Sequence, residues 1–139
     1  MNQSIKILLI DDNLADVELT KETLVEGRLN ADVFTTWNGA EALDYLQRAC
    51  VDAALPDLIL LDLNMPELDG PGLLVELAKH ERLRTIPVIM LASSDDEQDI
   101  ARSYALGAAY YVTKPLGFSE FQRSVRTVED FWLGLASHV

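Results

Sequence analysis

The chain has 139 residues, a formal net charge of −12 and a single cysteine, Cys50. That length suits one domain, and a hydrophobic share of 49% is enough to fill its core. The acidic balance repels nucleic acid and anionic lipid, no run of about 18 apolar residues offers a membrane span, and one thiol excludes an internal disulfide. The stretch before Asp11 is too short for a signal peptide, so a reducing cytoplasm is the expected compartment.

Five apolar runs, at 5–10, 31–36, 58–61, 87–91 and 109–112, read as strands. Helical patterns at 14–26, 39–50, 70–80, 96–106 and 117–135 alternate with them. This alternation predicts βαβ units in an α/β, doubly wound, five-stranded parallel sheet. Asn38 with Glu41 reads as a capping pair before the second helix. Pro66 and the Asp69-Gly70 pair mark a loop after the third strand, and Pro87 can open an inner strand but not sit in its middle. Cys50 reads as a small core filler, and Trp37 as partly buried near a turn. Phe118, Phe121, Val125, Val128, Trp132 and Leu135 form one stripe expected to face the sheet. The chain ends with this last helix, which implies a single domain over 1–139 and no effector domain.

Three of the runs end in charge. Ile7–Ile10 leads into Asp11-Asp12, Leu58–Leu61 into Asp62, and Tyr110–Val112 into Thr113-Lys114-Pro115. Ligands of open parallel sheets bind beyond the carboxyl ends of the strands, so three acids and one amine are expected to meet there. Two carboxylates about 4 Å apart repel by roughly 4 kcal/mol at an effective dielectric of 20, so such a cluster calls for a cation. Mg²⁺ fits best, being a hard ion that needs few protein ligands. His80 and His138 are remote in sequence and read as surface residues, which disfavours a transition metal. Asp62, at the end of the central strand, is the candidate nucleophile toward phosphorus, and Lys114 the candidate cation beside the phosphoryl oxygens. A lone Asp after a strand is more often a cap or turn former; the joint arrangement after the first, third and fifth strands is what is specific.

Those residues resemble the receiver domain of two-component response regulators over nearly the whole length. The resemblance rests on Leu9–Asn13, on Leu61–Gly70, and on Leu106-Gly107-Ala108 leading to Thr113-Lys114-Pro115. Ser103-Tyr104 and the terminal Glu129–Leu133 look like the small stand-alone regulators paired with phytochrome-type histidine kinases. The resemblance implies the flavodoxin-like (βα)5 fold. It also implies Asp62 as acceptor of a phosphoryl group from a kinase phosphohistidine. Mg²⁺ would be held by the side chains of Asp12 and Asp62 and the carbonyl of Asn64, with Asp11 assisting, and Lys114 would pair with the phosphoryl group. Tyr111 matches the aromatic switch position, where its alternative role is plain core packing. A bacteriophytochrome is the implied kinase. The protein would be a self-phosphorylating acceptor with slow autodephosphorylation, rather than an enzyme.

One position departs from the pattern. Receivers place Ser or Thr directly after the fourth strand, and here Ala92 stands there, followed by Ser93 and Ser94. Regular alternation would turn Ser93 to the other face. Phosphorylation is expected to survive, by a bend in the loop or by a backbone amide, while coupling of a hydroxyl to Tyr111 is in doubt. The output face of such domains lies on the fourth helix, fifth strand and fifth helix, which implies a homodimer through Ile100, Tyr104, Tyr110 and Phe131–Leu133 with isologous symmetry. Phe131, about 100° around the helix from Trp132, is expected at the surface. Arg28, Lys79, Arg82 and Arg84 read as solvated charges.

Three other classes compete. A phosphorylation-independent pseudo-receiver gains support from Ala92, but Asp12, Asp62 and Lys114 oppose it. An aspartyl-phosphate phosphohydrolase of the haloacid-dehalogenase type would show Asp-x-Asp, whereas this chain has Asp62-Leu63-Asn64 and little room for a cap. A flavodoxin-type flavin binder would need a hydroxyl- or Gly-rich phosphate loop where Asp11-Asp12 stand.

Overall fold

The computed structural model describes residues 4–136. Its strands are β1 (Ile5–Ile10), β2 (Ala31–Thr36), β3 (Leu58–Leu61), β4 (Val88–Ala92) and β5 (Tyr110–Thr113). The helices that alternate with them are α1 (Leu14–Glu26), α2 (Gly39–Val51), α3 (Gly70–Ala78), α4 (Glu97–Ala105) and α5 (Phe118–Ala136). The sheet order is β2-β1-β3-β4-β5, and every pair is parallel. Strand order therefore reverses between β1 and β3, which places a crevice beyond their carboxyl ends.

The inner strands are apolar on both faces because both are covered. Leu8, Ile10, Ile59, Leu61 and Met90 pack with Leu46, Leu73 and Leu77 of α2 and α3. On the other face Ile7, Leu9, Leu60, Ile89 and Leu91 pack with Val17 and Leu24 of α1 and Phe121, Val125 and Val128 of α5. β4 begins one residue later than expected, since Pro87 has no N–H, although its carbonyl still accepts from Ile59 N–H at 3.0 Å.

The α5 stripe is buried only in its middle. Phe118 and Leu135 are exposed, because the stripe overshoots the sheet at both ends. Phe131 is half-buried rather than free, its ring stacked on Tyr110 with centroids 5.1 Å apart. Cys50 packs half-buried against the α2 side of the core, Trp37 is 40% exposed, and His80 is exposed. His138 lies outside the described residues.

Arg28 is exposed, as expected of a solvated charge, and it also has partners. Its guanidinium pairs with Asp130, and its backbone N–H donates to Glu129 Oε2 at 3.0 Å. Glu129 is fully buried and lies where a Cβ on Gly27 would sit, 1.9 Å from Oε2. The end of α1 is thus tied to α5 by a carboxylate that occupies the space left by the missing Cβ of Gly27.

Candidate functional site

Three strand ends, those of β1, β3 and β5, supply the side chains of the site. Asp11 follows β1 and is anchored by its N–H, which donates to the Thr36 carbonyl of β2 at 3.2 Å. Its Oδ1 accepts from Asn13 N–H at 2.9 Å, while Asp12 beside it faces solvent. Asp62 follows β3; its N–H donates to the Ile10 carbonyl at 2.9 Å, and its Oδ1 accepts from Leu63 N–H at 2.8 Å. One carboxylate oxygen from each of Asp11, Asp12 and Asp62 lies within 4.8 Å of the others. Lys114 follows β5, with its N–H on the Ala92 carbonyl of β4 at 2.7 Å.

The loop after β3 needs Gly70 for space rather than for a left-handed turn. A Cβ there would stand 2.5 Å from the Asp62 carbonyl oxygen. Asp69 caps α3 by accepting from Gly72 N–H at 2.8 Å. Asn64 lies on this loop, exposed, two residues beyond Asp62.

The lysine is buried, and its ammonium is shared. Nζ donates to Asp11 Oδ2 at 2.9 Å and to Asp16 Oδ2 at 2.8 Å, and stands 3.8 Å from Asp62 Oδ2. Burial alone would lower its pKa, but the carboxylates of Asp62, Asp16 and Asp11 outweigh burial and hold it above the usual lysine value. Burial pushes the Asp62 carboxyl up from 3.8 to about 7; Lys114 opposes this and the Asp11 charge adds to it. The rise comes first from burial, and a cation bound at the cluster would oppose it. The donors are three hard oxygen ligands, one of them solvent-facing with room for water, and they fit Mg²⁺.

The switch candidates divide between the two faces of the sheet. Ala92 is fully buried at the end of β4 and belongs to the same core layer as Tyr111. Ser93 is exposed on the other side, in a groove with Asp16, Lys114 and Leu116. The Tyr111 ring is buried, and its hydroxyl donates to the Ser94 carbonyl at 2.7 Å. Burial raises the pKa of that hydroxyl despite the Ser94 bond, and Asp99, Asp62 and Asp95 add to the rise. Ser94 in turn donates its hydroxyl to Asp99 Oδ2 of α4 at 2.6 Å.

Asp16 is the site residue that sequence reasoning did not single out. It sits in the first turn of α1, four residues after Asp12, and helix side chains lean toward the helix N-terminus. An acid at that spacing was the available signal.

The model of the response regulator receiver domain matches residues 7–126. The chain belongs to that family. It is 35% identical to response regulator Rcp1 of Synechocystis over 129 residues, which covers 91% of this chain and 88% of Rcp1. Among solved structures, the phosphorylated cyanobacterial phytochrome response regulator RcpA superposes with a TM-score of 0.87 at 40% identity, covering 94% of this chain and 95% of RcpA. The Mn²⁺-bound form of Rcp1 superposes with a TM-score of 0.85 at 34% identity, covering 93% and 94%. The fold is the flavodoxin-like receiver fold, and the chain is a signal-transduction module related to these phytochrome response regulators.

Proposed function

We propose that this receiver accepts a phosphoryl group on Asp62 from the phosphohistidine of a histidine kinase, of the bacteriophytochrome type, and passes the signal on by changing protein contacts. The observation that carries this reading is the Asp11, Asp12 and Asp62 cluster with the buried Lys114 ammonium 3.8 Å from Asp62. Asp62 Oδ attacks phosphorus in line, the bond from phosphorus to the donor breaks, and the donor leaves with that electron pair. Leu63 N–H holds the other Asp62 oxygen, so one carboxylate oxygen is oriented for attack. Lys114 supplies the fixed positive charge for the phosphoryl oxygens. Asp11, Asp12 and Asp62, with the backbone carbonyl of Asn64, are the groups that would hold Mg²⁺. When bound, the ion neutralises the carboxylates and the transferred charge. Slow autodephosphorylation belongs to this reading: the carboxylates beside Asp62, those of Asp11 and Asp12, would be engaged by the cation and so held back from acting as a general base for water.

Access and output use different surfaces. Leu116 and Phe118 are exposed and line the groove that holds Lys114, and they offer an apolar surface to an approaching kinase. Output passes through Tyr111 and α4 to a homodimer on the α4-β5-α5 face. Two groups on the β5 edge are already satisfied: Tyr111 N–H donates to the Tyr104 hydroxyl at 3.0 Å, and the Thr113 carbonyl accepts from Ser124 at 3.0 Å. The dimer is therefore built from side chains rather than by strand addition.

The buried methyl of Ala92 favours one second reading, a phosphorylation-independent adaptor. Intact mass after incubation with acetyl phosphate decides between them. A Mg²⁺-dependent gain of one phosphoryl group, absent in Asp62→Asn, is expected. No gain together with no binding of beryllofluoride would leave the adaptor.

A further inference from the structure

We propose that Asp16 is a positioning residue that holds the Lys114 ammonium in the resting state and opposes its transfer to a phosphoryl group on Asp62. The proposal rests on Asp62 being the phosphoacceptor. A lysine ammonium has three donors. Two are taken by Asp11 and Asp16 at 2.9 and 2.8 Å, while Asp62 at 3.8 Å lies beyond hydrogen-bond distance. The Lys114 side chain is 3% exposed, so water offers its head little alternative.

Local structure makes Asp16 available for this. Its backbone N–H donates to the Asn13 side chain, which caps α1 at 3.0 Å. An acid in the first turn often returns the bond to the N–H of the capping residue. Here Asn13 N–H is already taken by Asp11 Oδ1. The Asp16 carboxylate is left without that role and closes on Lys114 instead. Its side chain remains 26% exposed, so it is a charged, solvent-supported anchor at the rim.

Phosphorylation changes the two carboxylates unequally. A cation at the Asp11, Asp12 and Asp62 cluster competes with Lys114 for Asp11, and Asp16 is not part of that cluster. Asp16 is then the remaining competitor for the lysine. In transfer from acetyl phosphate, Asp62 Oδ forms its bond to phosphorus as the bond to acetate breaks and acetate departs with its charge. The new phosphoryl oxygens must draw Nζ away from Asp16. Removing that carboxylate lowers the cost of the move.

The test is a beryllofluoride titration in Mg²⁺ followed by ¹⁹F NMR, with a thermal melt of each variant. Asp16→Asn and Asp16→Ser are expected to lower the half-saturating concentration about tenfold, the worth of one charge-assisted hydrogen bond. Asp16→Glu, which keeps the carboxylate, is expected to stay near wild type. Glu18→Gln removes an exposed charge from the same helix and is expected to change little. Unchanged or weaker binding in a folded Asp16→Asn or Asp16→Ser protein overturns the proposal. An equal gain in Glu18→Gln also overturns it, because the effect would then be general charge. If wild type neither binds beryllofluoride nor gains phosphoryl mass, the phosphoacceptor reading itself falls, a result distinct from either of these.

Discussion

Asp62 costs the metal-free fold stability at neutral pH. Its pKa is raised from 3.8 to about 7, chiefly by burial, so the folded state binds a proton more tightly than the unfolded chain does. The resulting stability is fully present below about 4 and is lost as pH rises through about 7. In EDTA, the melting temperature is therefore expected to climb on acidification from pH 8 to pH 5. Asp62→Asn should flatten that slope and stabilise the protein at pH 8 by about 1–2 kcal/mol, the part of the linkage left after solvent screening. Thermal melts across this range check both; a wild-type melting temperature that falls on acidification would contradict them. Adding Mg²⁺ is expected to reverse the slope, since a bound cation favours the charged carboxylates.

Ala92 is the second residue-scale matter. Its methyl is buried in the same layer as Tyr111, whose hydroxyl is held by the Ser94 carbonyl. Ser93 faces the lysine groove instead, as strand alternation requires, and cannot replace the missing hydroxyl on the Tyr111 side. Ala92→Thr restores an oxygen at the strand end. It is expected to tighten beryllofluoride binding about tenfold, the effect of one hydrogen bond to a charged group. An unchanged titration would show that the hydroxyl is dispensable here.

Elements position these residues through close backbone contact. Gly70 lets α3 start directly against the Asp62 carbonyl, where a Cβ would meet oxygen at 2.5 Å and Leu63 Cα at 3.0 Å. Both neighbours are backbone, so they cannot turn aside. Gly70→Ala is expected to cost about 1–3 kcal/mol in urea melts and to weaken Mg²⁺-dependent phosphorylation, because the strain falls on the residue that carries Asp62. A variant of wild-type stability would show that the α3 start is free to shift.

The elements themselves were legible because their signals are local. Runs such as Leu58–Leu61 and the Asn38 cap with Glu41 fix strand and helix ends within a residue or two. Asp11, Asp12, Asp62 and Lys114 were legible too, since each directly follows a strand and parallel topology gathers strand ends. Asp16 was not, because its role depends on where a lysine 98 positions away places its head. Glu129 was read only as part of a terminal motif. Its full burial over Gly27 follows from the α1–α5 packing, which no local pattern encodes.

At the scale of the whole molecule, charge and shape act against each other in self-association. The α4-β5-α5 face offers Tyr104, the stacked pair Tyr110 and Phe131, and Leu135, which with Phe131 lines an open apolar groove. Two copies bring −12 each, or −24 together, so long-range repulsion resists the encounter. Salt screens that repulsion over a Debye length of about 10 Å at 0.1 M, while apolar contact persists. The beryllofluoride-bound protein in Mg²⁺ is expected to dimerise more tightly as salt rises from about 0.02 to 0.5 M, opposite to an interface held by ion pairs. Leu135→Glu puts two more charges into the groove and is expected to leave a monomer that still takes up phosphoryl groups on Asp62. Sedimentation velocity across the salt series reads both effects. A dimer that weakens with salt would move the interface to a charged surface, and an unaffected Leu135→Glu dimer would move it off this face.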